Sequence, residues 1–160
     1  MIQITEYNNT SEAGVIELIL DIQTREFGVA ITLEDQPDLL RITKFYQHGC
    51  GNFWTALKDN RVIGTISLLD ISNHQVALRK MFVHRDYRGK EFNVAANLLH
   101  KALDWSREMQ VREIFLGTTA KYHAAHRFYE KHQFMEIKQS ELPPRFPVME
   151  VDTKFYKYAL

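Results

Sequence analysis

A chain of 160 residues is long enough for one domain with a hydrophobic core of its own. Its 20 Lys and Arg are balanced by 20 Asp and Glu, which argues against a general binder of nucleic acid or of an anionic membrane, because basic charge drives both. One cysteine, Cys50, allows no disulfide within the chain and points to a reducing, cytoplasmic setting.

Ile2 to Tyr7 alternates polar and apolar residues and reads as a first strand, without a basic-then-apolar targeting pattern. No apolar run approaches the roughly 20 residues that span a bilayer. Thr10 or Ser11 then offers a hydroxyl cap to a helix whose Val15, Leu18, Ile19 and Ile22 share one face. Gly28 suits its C-terminal end. A second, shorter helix starts at Asp35-Gln36-Pro37, with Asp35 as cap and Leu39, Leu40 and Phe45 as its apolar side. Two strand patterns follow, Asn52 to Leu57 and Val62 to Leu69, joined by a tight Asp59-Asn60 turn. Ser72-Asn73 turns into a third, Gln75 to Val83. After Gly89 the apolar period becomes helical, through Val94, Ala95, Leu98, Leu99, Ala102 and Trp105. A short buried strand at 114–116, a helix from Tyr122 to His132, and strands at Phe134 to Ile137 and Val151 to Tyr158 complete the chain. The order β-α-α-β-β-β-α-β-α-β-β contains hairpins and one strand-helix-strand crossover. It implies a single α/β domain over 1–160 with a mixed, mostly antiparallel sheet and helices on both faces.

The stretch Met81-Phe82-Val83-His84-Arg85-Asp86-Tyr87-Arg88-Gly89-Lys90-Glu91-Phe92-Asn93-Val94 carries the most chemistry. It is a strand, a basic turn and the start of a long helix. The first amides of a helix lack internal acceptors, and the helix dipole makes that end electropositive. A turn that feeds such an end can aim several amides at a pyrophosphate, with Arg85, Arg88 and Lys90 beside it. The competing reading is a basic surface loop.

This segment resembles the acyl-coenzyme-A motif of the GNAT superfamily. Arg88 fills the motif's first slot, Gly89 follows it as in many members, and Glu91 and Asn93 occupy the two small-residue slots. Glu91, an anion near a pyrophosphate, is expected to face solvent. A second segment, Ala125-His126-Arg127-Phe128-Tyr129-Glu130-Lys131, is similar to the family's late helix, with Gln133 where a Gly is usual and Tyr122 where an Asn is often found. The closing Val151 to Tyr156 also looks like the last strand of many bacterial members.

The resemblance implies an N-acetyltransferase that uses acetyl-coenzyme A and a primary amine, small molecule or peptide, attacking directly. It implies cofactor contacts from Met81, Phe82, Val83, Arg88, Gly89, Lys90, Glu91, Phe92, Asn93, Val94, Tyr122, Ala125 and Tyr129, between two splayed strands. Tyr129 is the implied general acid, since a phenol can protonate a thiolate; the alternative is a core tyrosine. Glu26, Phe27, Gly28 and Phe146 are the implied acceptor-binding residues, with Glu34 or Asp35 as further anions for an ammonium group. A base is harder to find. The family's usual Glu position falls on Ala77, which leaves Glu26, Asp70, His74 or a water chain. The resemblance leaves room for a homodimer. No metal is expected: His123 and His126 lie three apart but lack a second ligand pair, and a solvated helix face explains them. Cys50 reads as a bland thiol rather than a nucleophile. A non-catalytic acyl-coenzyme-A sensor is the alternative function, and a nucleic-acid-binding regulator is disfavoured by the zero net charge.

Overall fold

The computed structural model describes all 160 residues. The strands are β1 (Ile2–Glu6), β2 (Asn52–Lys58), β3 (Arg61–Asp70), β4 (Gln75–Val83), β5 (Glu113–Thr118), β6 (Met135–Ile137) and β7 (Lys154–Ala159). The helices are α1 (Glu12–Leu20), α2 (Ile42–Tyr46), α3 (Val94–Glu108) and α4 (His123–Lys131). Their succession is the one the sequence implies. The strands form one sheet in the order β1-β2-β3-β4-β5-β7-β6. Every neighbouring pair is antiparallel except β4 and β5, which the α3 crossover makes parallel.

One face of the sheet carries α3 and α4, whose Leu98, Leu99, Ala102 and Tyr129 close over Trp54, Ile66, Leu68 and Val76. The other carries α1 and α2, with Val15, Ile19, Leu39 and Tyr46 against Phe53. Each fully buried leucine contributes about 1.5–3 kcal/mol. Beyond α1 and α2, the 143–147 loop covers the sheet with Phe146, which packs on Ala77, Phe115 and Phe155. The Asp59-Asn60 turn has positive φ at both residues, as a two-residue hairpin of this kind requires.

Several local readings change. Asn8 caps a 3₁₀ turn, Asn9–Ser11, that leads into α1, its side chain accepting from the Thr10 amide; Ser11 stands at the N-cap of α1 but its hydroxyl makes no capping bond. Past Leu20 the helix widens over Asp21–Glu26, where the Phe27 amide reaches back to the Ile22 carbonyl. Asp35 does not cap the second helix; its carboxylate accepts from the Thr32 amide behind it. That region is a 3₁₀ turn, Pro37–Leu40, followed by α2. Leu40 points outward at 57% exposure, because neighbours on a 3₁₀ turn lie about 120° apart and Leu39 takes the buried side. The last two strands begin later than their apolar patterns, at Met135 and Lys154.

Candidate active site

The site begins where the two parallel strands part. β4 and β5 pair only from Gln75 with Glu113 to Ala77 with Phe115. From Leu78 onward the two strands diverge. The cause lies in β4: Thr65 pairs with Phe82 and Ser67 with Arg79, so Ile66 alone opposes Lys80 and Met81. Lys80 takes φ +54. A bulge of this kind bends its strand. The Thr65 and Ser67 hydroxyls stabilise it by donating to the Lys80 and Arg79 carbonyls, each at 2.6 Å. The gap is a cleft of about 340 Å³ lined largely by apolar side chains.

Met81, Phe82 and Val83 form one wall, Tyr122, Ala125 and Tyr129 the other, and Arg88 also lines the cleft. The entrance of α3 abuts it through Ala95. Here the turn from Arg88 to Asn93 makes few internal bonds. Asn93 donates to the Gly89 carbonyl at 3.0 Å, but the amides of 89–92 and 94–96 donate to no atom of the chain. Gly89 at φ +102 and Asn93 at φ +54 permit that turn. Seven unsatisfied amides at an electropositive helix end form an anion cradle. Phe92 packs on Tyr87 at 5.2 Å and Val94 is buried, so these side chains hold the turn while its backbone faces out. Glu91 and Lys90 are exposed, Glu91 as expected.

Tyr129 is buried, and its hydroxyl takes no hydrogen bond from or to the protein. Burial holds the phenol well above its usual pKa, with Tyr122 a lesser cause. It therefore stays protonated, facing the cleft. Tyr122 is pushed up to about 12, mainly by burial.

Arg88 differs from expectation. Its guanidinium forms a two-point pair with the Glu26 carboxylate, one bond at 2.8 Å, while its Nε donates to the Val83 carbonyl at 2.8 Å. The arginine expected at the cofactor and the glutamate expected at the acceptor thus neutralise each other. The bonds from Arg88 hold the Glu26 carboxyl below the usual carboxylate range. The same turn is fixed from the opposite wall: Phe27 stacks edge-on against Tyr122 at 5.0 Å, and Lys121 Nζ donates to the Gly28 carbonyl at 2.7 Å. Glu26–Gly28 is therefore a strap across the cleft.

Of the residues named for the acceptor, Phe27 and Phe146 line the cleft, whereas Glu26, Gly28, Glu34 and Asp35 do not. The charged groups that do are Arg79, Lys80, Arg88 and Asp152. Lys80 is buried at 9% exposure and bonds to Gln36 Oε1, with Asp38 at 3.8 Å. Burial lowers its pKa to about 8. Asp152 accepts from the Met149 amide at 2.9 Å, and burial raises its carboxyl. Sequence reasoning missed Arg79, Lys80 and Asp152. Two adjacent charges in an apolar strand were the available signal, but regular alternation would send them to opposite faces. Only the bulge turns Arg79 onto the Phe45 and Tyr46 rings and Lys80 onto Gln36, both on the α1–α2 side.

The remaining base candidates lie elsewhere. Asp70 caps the Cys50 and Ser72 amides, and Ala77 is buried in the sheet. His74 sits in the exposed turn before β4. His126 is not on a solvated face: it is buried and its ring bonds to the Thr119 carbonyl at 2.9 Å, while His123 is exposed. Cys50 is half-buried, and burial raises its thiol to about 11, which suppresses the thiolate.

A family model described as the acetyltransferase (GNAT) family matches residues 16–134. A GNAT-family acetyltransferase from Staphylococcus aureus Mu50 superposes with a TM-score of 0.96 at 39% identity, covering 99% of both chains. An acetyltransferase from Streptococcus agalactiae 2603 gives 0.95 at 30% identity, over 99% of this chain and 98% of that one. Among curated proteins, N-acetylaspartate synthetase from Xenopus tropicalis is 33% identical over 102 residues, which is 62% of this chain and 37% of that protein. The match thus spans little more than a third of that relative's length.

Proposed function

The chain belongs to the GNAT acetyltransferase family, and on that premise we propose that it moves an acetyl group from acetyl-coenzyme A to a primary amine by direct attack. The observation that carries this reading is the junction of the seven open amides at α3, the unpaired edge of β4 and the unbonded Tyr129 hydroxyl on one cleft. The residues present fit the cofactor. The amides of 89–92 and 94–96 would bind its phosphates, and the free edge of Met81 and Phe82 would bind its amide-bearing arm as an added strand, next to Val83, whose carbonyl Arg88 already holds. Tyr122 and Ala125 would wall it on the α4 side. When bound, acetyl-coenzyme A supplies the acyl group as a thioester.

In acetyl transfer the neutral amine forms an N–C bond, the S–C bond breaks, Tyr129 delivers a proton to sulfur, and the proton lost from nitrogen passes through water to restore the phenol. The Tyr129 hydroxyl is the proton donor for the departing sulfur, kept neutral by burial. The cleft walls contribute through alignment, worth up to roughly 7–11 kcal/mol when reacting groups are well oriented. A backbone amide near Phe82 would polarise the acyl oxygen.

The test is thiol release from acetyl-coenzyme A across an amine panel, in wild type and Tyr129→Phe. Amine-dependent release is expected, with kcat lower by about 10²–10⁴ in the variant. Because the hydroxyl borders the cleft and makes no hydrogen bond to the protein, the variant should unfold within a few degrees of wild type. Binding without turnover on any amine would instead indicate an acyl-coenzyme-A sensor.

A further inference from the structure

We propose that the acceptor is an amino acid, its carboxylate held by Arg79 and its ammonium group by Asp152. This rests on the acetyltransferase reading above and specifies what the cleft selects.

Arg79 is half-buried in the cleft wall, yet none of the chain's ion pairs uses it. Its guanidinium lies over the Phe45 and Tyr46 rings, 5.6 and 5.9 Å from their centres. Its one hydrogen bond runs from Nη2 to the Met149 sulfur at 3.6 Å, a weak acceptor. A planar fork with five donors, fixed by stacking and lacking an oxygen partner, is matched in shape to a carboxylate. The Arg41 guanidinium also lies over Phe45, 5.6 Å from that ring's centre.

Asp152 is reached through the same methionine, whose amide it accepts. Only one of its carboxylate oxygens is engaged there. Arg79 and Asp152 border one cleft but form no ion pair with each other, so each keeps an open face. Two opposite, separated charges complement an amino acid's two charged groups. A polyamine or a protein lysine would bring positive charge towards Arg79 and Lys80. The other carboxylates nearby are engaged: Glu26 by Arg88, and Asp38 by the Tyr46 hydroxyl at 2.6 Å and by Lys80. Such an acceptor is therefore selected against.

The experiment compares matched acceptors, α-amino acids against the same amines lacking the carboxylate, with spermidine included. Thiol release is followed at saturating acetyl-coenzyme A. Calorimetry separately measures coenzyme A binding, and acceptor binding to the coenzyme-A-loaded protein. Carboxylated acceptors should be preferred by about tenfold to a hundredfold in kcat/KM, the range for a charge-assisted pair. In Arg79→Met that preference should collapse through KM rather than kcat. In Asp152→Asn both acceptor classes should bind more weakly, since both present an ammonium group. Equal use of the decarboxylated amines, or equal losses for both classes in Arg79→Met, overturns the proposal. So does coenzyme A binding without turnover of any amino acid. Failure to bind coenzyme A at all would overturn the acetyltransferase reading instead.

Discussion

Gly117→Ala probes how tightly the cleft is built. Gly117 lies in β5 beside Asp152, and a Cβ there would sit 2.7 Å from Asp152 Oδ2, 2.9 Å from its Cγ and 3.0 Å from Phe155 Cε1. Phe155 is buried, so the carboxylate must move, and moving it breaks the bond from the Met149 amide. Overpacking costs about 1–3 kcal/mol and the lost hydrogen bond about 0.5–1.5 kcal/mol. Replacing a strand glycine returns about 0.5–1 kcal/mol through the unfolded chain. The net expectation is a loss of about 2 kcal/mol, or roughly 4–8 °C in Tm for a domain of this size. Thermal unfolding followed by circular dichroism measures it. A cycle with Asp152→Ala isolates the cause, because Gly117→Ala should cost much less once the carboxylate is gone. An unchanged Tm in Gly117→Ala, or full additivity in the cycle, would refute the claim that Gly117 exists to seat Asp152.

Lys80 gives a pH signature. Burial lowers its pKa from 10.5 to about 8, so between these values the unfolded chain binds more protons and stability should rise with pH. The stability of wild type relative to Lys80→Met should climb from pH 8 towards pH 10, as read by urea midpoints; a flat difference would contradict it. Gly89→Ala meets no atom within 4 Å, so its cost is that of φ +102 alone, about 1 kcal/mol. Because it shifts the open amides, it should also weaken coenzyme A binding in calorimetry severalfold or more. Glu26→Gln removes a pair whose side chains are 22% and 37% exposed, so the loss at pH 7 should stay below about 1 kcal/mol. Since the folded pKa of Glu26 is lowered below 4.5, that contribution exists above pH 4.5 and should vanish as acid titrates the carboxylate, which denaturant titrations at several pH values would show.

Period and turn chemistry in the chain itself dictated the elements and their order. Alternation marked β2 to β4, Asp59-Asn60 marked their hairpin, and the 3.6-residue spacing from Val94 to Trp105 marked α3. These signals are local, and local backbone preference is enough to set them. The amide cradle was legible for the same reason, because a Gly-containing turn and the helix end it feeds are neighbours in sequence. Tertiary structure alone decided what fills the cleft. Arg88 and Glu26 are 62 positions apart, and nothing in either segment indicates that they meet. Asp152 enters the cleft from the loop before β7 into space left by Gly117, a contact between segments 35 positions apart. Arg79 and Lys80 share a face only because one extra residue in β4 breaks the alternation by which strands are read. Charge placement in the site is thus set by strand register and long-range packing, which local sequence patterns do not encode.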